Sequence, residues 1–143
     1  MNHFTTPLDV RRLDNDRWEI LAPFEYHLGT PDGPEFVRVP VGFLTDFASV
    51  PRPFWALWPP TGQYGKAAVV HDCLYMLPWV QHVNGGLRRV TRGEADHIFL
   101  EGMEVLGVSW FTRRNLYQGV RLLGWHPWKQ YRQAEAGERQ DET

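Results

Sequence analysis

Gly65-Lys-Ala-Ala-Val-Val-His71-Asp72-Cys-Leu-Tyr75 is the stretch from which the rest of the chain is read. Ala67, Val70, His71, Leu74 and Tyr75 recur at helical spacing, so the segment predicts a helix that starts after a Pro/Gly-rich loop (Pro59, Pro60, Gly62, Gly65). His71 points with the apolar residues towards the core, and Asp72 lies about 100° further round, at the edge of the stripe. An imidazole held there beside a carboxylate is costly unless a partner satisfies it. Two readings stay open: a buried histidine satisfied by a neighbour, or a catalytic base or metal ligand.

Downstream, Thr91-Arg92-Gly93-Glu94 matches a capping box and starts a second helix, with Ala95, Ile98, Phe99, Gly102, Met103 and Leu106 as its apolar stripe and Gly107 at its end. Asp96 falls on that same face and needs a cationic, donor or metal partner. The economical pairing is His71 with Asp96, which would hold the ring in one tautomer and strengthen its other nitrogen as a base. Asp72 then projects beside the pair, placed to bind a cation or a water. A third helix is expected from about Ser109 to Leu123, with Gly124 as its cap and Arg113, Arg114 and Arg121 on a solvated face. Cys73 is two positions from His71, about 200° round the helix, and is core filler rather than a nucleophile.

The N-terminal half reads as β-structure. Leu8 to Leu13 and Arg17 to Tyr26 form a hairpin around Asp14-Asn15-Asp16, and Glu35 to Phe43 gives a third strand that Pro40 makes an edge or ends early. Residues 41–55 are too apolar for a surface loop and too broken by Pro51 and Pro53 for a helix. Thr45, Asp46 and Ser49 would serve that segment's backbone, or Asp46 would reach the His71/Asp72 site. Pro78 to Val90 is a connection turning at Asn84-Gly85-Gly86, and residues 130–143 form a polar, frayed tail. The expectation is one α+β domain: β-rich 1–50, a Pro/Trp-rich connection 51–64, and a three-helix half over 65–124.

With 143 residues the chain is long enough to bury a core without staples. A net charge of -2 gives no basic field of the kind nucleic-acid binding leaves, and one cysteine excludes an intrachain disulfide and a multi-cysteine zinc site. No apolar run reaches the length of a membrane span and no signal peptide is visible, so synthesis in the cytoplasm is expected, with virion association as a later location.

His71-Asp72-Cys73-Leu74-Tyr75 resembles the His-Asp-x-x-Tyr helix of the phospholipase A-two superfamily, closest to the disulfide-free form in parvovirus capsids. Glu94-Ala95-Asp96-His97-Ile98-Phe99 is similar to that superfamily's Ala-Asp-x-x-Phe helix. The resemblance implies that His71 activates water, that Tyr75 and Asp96 support it, and that Asp72 holds calcium. The superfamily's Gly-x-Gly calcium loop has no counterpart at the right distance here; the expected substitute is Asp46 with carbonyls of the 45–51 segment. Over nearly the whole chain, Gly42-Phe43-Leu44-Thr45-Asp46-Phe47-Ala48-Ser49-Val50-Pro51-Arg52, His71-Asp72 and Arg92-Gly93-Glu94-Ala95-Asp96 resemble an uncharacterised family of tailed phages and prophages, which implies an origin and no activity.

Two functions follow as expectations. The first is a phage-encoded, metal-assisted hydrolase, of lipid or other apolar esters, with His71, Asp96 and Tyr75 as its catalytic group. Calcium would sit on Asp72 and Asp46, with zinc or another divalent metal as the alternative, and Phe54, Trp55, Trp58 and Trp79 would form the lip. The second is a virion, assembly or accessory protein that contacts phage structural proteins, in which the His-Asp pair only fastens two helices.

Overall fold

The computed structural model describes residues 3–14, 17–46 and 64–142. Ser49, Phe54, Trp55 and Trp58, with the turn residues Asn15 and Asp16, lie outside the described residues. The architecture is α+β. In chain order it runs β1 (Val10–Arg12), β2 (Trp18–Ile20), β3 (Phe24–His27), β4 (Glu35–Val39), β5 (Leu44–Thr45), α1 (Gly65–Met76), β6 (Trp79–His82), β7 (Leu87–Arg89), α2 (Arg92–Val105), α3 (Trp110–Leu123) and α4 (Trp125–Asp141).

The strands form two antiparallel sheets, ordered β1-β2-β5 and β3-β4-β6-β7. The expected hairpin is present, with Val10 opposite Ile20 and Arg12 opposite Trp18. Its second run does not stay one strand. Pro23 has no N–H to give a ladder, and around it the chain leaves the first sheet after Ile20 and enters the second at Phe24. β4 stops at Val39, as Pro40 requires, yet it is not an edge: β3 and β6 flank it, because the proline stands just beyond the last ladder position. Along β4 Val37 and Val39 are buried while Arg38 is exposed. The stretch 78–90 is a further hairpin rather than a plain connection. Gly85 takes φ +92° at its turn, and the Gly86 N–H donates to Asn84 Oδ1 at 2.9 Å.

α1 is the centre of the molecule, packed against α2, α4, β4 and β5. The expected single stripe widens to burial on nearly every side, leaving Lys66, Asp72 and Met76 towards the surface. Its small residues permit a close crossing: a Cβ at Gly102 of α2 would sit 3.1 Å from that of Ala67. α2 begins with the expected capping box, Glu94 N–H donating to Thr91 Oγ1 at 3.2 Å and Thr91 N–H to Glu94 Oε1 at 3.4 Å. α4 corrects the reading of a frayed tail. Trp128 meets Tyr75 edge-on at 5.2 Å, and Arg132 Nη2 donates to the Tyr75 and Met76 carbonyls at 2.6 and 3.0 Å, capping the end of α1. Glu135 pairs with Arg89 at 3.1 Å and Arg139 at 2.7 Å, which ties the following turns. No described helix is long and apolar enough to cross a membrane.

Candidate functional site

Packing α1 on α2 brings together the two polar side chains carried on their apolar faces. His71 is 2% exposed and Asp96 0%, and His71 Nε2 lies 2.7 Å from Asp96 Oδ1. Burial alone would raise the Asp96 carboxyl pKa, but bonds from His71, Tyr75 and Arg121 outweigh it and hold the group below its ordinary range. The carboxylate is therefore ionised and accepts, so Nε2 carries a proton and donates, and Nδ1 is the ring's other nitrogen. Tyr75, one turn after His71, donates its hydroxyl to the same Oδ1 at 2.7 Å. Burial first, and then Asp96, push the phenol pKa upward and keep it a donor. The imidazole is packed between Tyr75 and Phe99, with ring centroids at 4.3 and 4.9 Å.

The other carboxylate oxygen faces two guanidiniums. Arg121 Nη1 donates to Asp96 Oδ2 at 2.7 Å and Arg92 Nη1 at 3.3 Å. The expected solvated role of Arg121 is thus overturned: α3 lies where its last turn reaches the buried carboxylate, which needs opposite charge to remain ionised there. Arg92 also donates to the Val120 and Arg121 carbonyls at 3.2 and 3.3 Å, so it closes the end of α3. Sequence reasoning passed over both arginines as site residues. Arg92 carried a usable signal, standing four residues before Asp96 at the start of the same helix.

Asp72 is half-buried and accepts a hydrogen bond from Thr45 Oγ1. Thr45 therefore bonds across to α1, beyond the local backbone role expected of it. A cleft of about 60 Å³ is lined by Asp46, His71, Asp72 and Tyr75 together with Gly119, Val120, Leu123, Gly124, Pro127 and Tyr131. The Tyr131 phenol pKa is raised by burial and then by the charges of Asp72 and Asp46. Of the residues anticipated for the site, four line this cleft and Asp96 stands behind it.

Calcium takes about 6–8 oxygen ligands and zinc about four donors. Among the described residues no group of three or more His, Cys, Asp or Glu could hold a metal, and Asp46 with Asp72 is a pair of carboxylates short of either cage. Cys73 is buried with its Sγ 3.9 Å from the Arg38 carbonyl, and burial, with Asp72 nearby, pushes its thiol up to about 12, which suits filler and not a nucleophile. His97 and His126 are exposed and His82 half-buried. Trp79 is on β6, partly exposed, with the Arg89 guanidinium 5.5 Å from its ring centre.

A family model described as "Protein of unknown function (DUF1353)" matches residues 18–120. No curated protein and no solved structure matches the chain.

Proposed function

The chain belongs to the DUF1353 family of proteins of unknown function, and from that premise we propose that it hydrolyses apolar esters, lipid esters first, with His71 as the base that activates water. The observation that supports this reading is a histidine whose Nε2 is tied to an ionised, buried Asp96 at 2.7 Å while its ring lines a cleft. In the proposed reaction a water gives a proton to His71 Nδ1 and its oxygen bonds to the ester carbonyl carbon. The tetrahedral adduct collapses as the bond to the leaving oxygen breaks, and the proton passes from Nδ1 to that oxygen, leaving an acid and an alcohol. Asp96 stays ionised and stabilises the imidazolium, while Tyr75 and Arg121 hold the carboxylate in place. Val120, Leu123 and Pro127 offer the apolar wall an acyl chain needs. Asp72 with Asp46 is the place proposed for a divalent cation, calcium before zinc. No step is routed through it, because the described donors fall short of a cage.

In a competing reading, a phage accessory or virion protein, the His-Asp pair is only structural, and one observation suits that role of the pair: Asp96 joins α1, α2 and α3 through four donors, whatever chemistry follows. Turnover of chromogenic and phospholipid esters by wild type, His71→Ala and His71→Gln separates the two. Loss of a general base should lower kcat by about 10²–10⁴ with the far-UV spectrum unchanged. Undiminished turnover in both variants would refute the assignment of His71, and no ester turnover by wild type would favour the structural role.

A further inference from the structure

Residues 105–134 contain none of the chain's 17 Asp and Glu but five of its 15 Lys and Arg, in a protein whose net charge is -2. That stretch forms α3 and the first half of α4. Only Leu116 and Val120 of α3 are buried. On its outward face Phe111, Asn115, Gln118 and Leu122 follow one another at spacings of four, three and four, with Phe111 68% and Leu122 71% exposed. Trp110 and Leu123 on the same helix, and Trp125 at the start of α4, are also exposed. Three of the cations are engaged within the fold, Arg121 on Asp96, Arg132 on the end of α1 and Arg113 on the Val108 carbonyl. Arg114, stacked 5.9 Å from the Trp110 ring centre, and Lys129 face outward.

We propose that this face of α3, with the start of α4, seats on the surface of an anionic phospholipid bilayer. A helix lying in the interface combines exposed Trp, Phe and Leu with flanking cations, and the absence of carboxylates removes the repulsion that an anionic surface would otherwise exert. A nucleic acid would use the cations but leave Phe111 and Leu122 without a role. Leu123 and Gly124 also line the cleft beside His71, so the surface would present that cleft to lipid. In this respect the inference deepens the lipid-ester reading, though binding does not require turnover.

The test uses the full chain and vesicles of ether-linked phosphatidylcholine with and without ether-linked phosphatidylglycerol, read by co-sedimentation and by tryptophan emission. Ether lipids have no ester to cleave, so binding is measured apart from hydrolysis. Wild type should bind the phosphatidylglycerol vesicles, and less as salt is raised. Arg114→Glu should weaken partition by about tenfold, and Leu122→Asp by at least about fivefold. Both sites are exposed, and circular dichroism checks that the variants fold. No binding, equal binding to the two vesicle types, unchanged binding in both variants, or displacement by duplex DNA at stoichiometric amounts would each overturn the proposal. A chain that cleaves esters but ignores vesicles refutes the surface alone; one that binds vesicles and cleaves nothing refutes the hydrolase alone.

Discussion

Asp96→Asn removes the charge from a fully buried carboxylate that accepts from His71, Tyr75, Arg121 and Arg92. The amide has one acceptor oxygen and two N–H donors, so it cannot satisfy four donors and must turn an N–H towards at least one of them. Breaking a buried ionic cluster by losing one partner costs about 3–5 kcal/mol. Arg92 and Arg121 are partly exposed and can regain water, which lowers the expected loss to about 2–4 kcal/mol. In equilibrium urea unfolding, with a slope of about 2 kcal/mol per M, the midpoint should fall by about 1–2 M. The pH dependence has a fixed sign. The folded carboxyl titrates below its ordinary 3.8, so its contribution is present above that value and is lost as pH falls through the folded pKa. The gap between wild type and Asp96→Asn should therefore narrow in acid, below about pH 4. A loss under about 1 kcal/mol at neutral pH, or a gap that does not change with pH, would refute the view that an ionised Asp96 is the hub.

Three further outcomes are expected. Gly124→Ala would drive a Cβ into the Tyr75 hydroxyl and the Val120 carbonyl and leave it 3.3 Å from Arg92 Nη1, so thermal unfolding should show a loss of about 1–3 kcal/mol. Gly119→Ala meets no atom of the described residues within 4 Å and relieves the entropy cost of a glycine inside α3; Tm should rise by about 1–4 °C, and a fall would contradict that reading of the position. Calorimetric titration of metal-stripped protein with calcium should give weak binding, with Kd in the range of about 10⁻⁴–10⁻³ M, abolished by Asp72→Asn. Binding of zinc alone would move the ion's role away from calcium.

The first three helices were legible because their signals are local. Thr91 and Glu94 satisfy each other's backbone N–H groups within one turn, and Ser109 accepts from the Thr112 N–H, so a window of four residues suffices to place each of these two starts. The His71–Asp96 pair was legible for a related reason: each is a polar residue at an apolar position of a periodic segment, and two such costs are relieved most simply by one hydrogen bond. Strand partners are a different matter. β6 joins β4 from more than forty positions further along the chain, and no pattern within four residues says which strand lies beside it.

What the sequence determined by itself was therefore the α+β division, the starts of α1, α2 and α3 and the buried dyad, since periodicity and capping act over a few residues. Tertiary structure alone decided the rest of the site. Arg121 looks the same in sequence whether it meets water or a carboxylate, and only the placement of α3 turns it onto Asp96. Thr45 reaches Asp72 because β5 pairs with β2 next to α1. α4 has no apolar stripe of its own; it is ordered by Trp128 and Arg132 finding Tyr75 and the open carbonyls of α1. In each case the deciding contact lies far away in the chain, where the free energy belongs to packing and not to local preference.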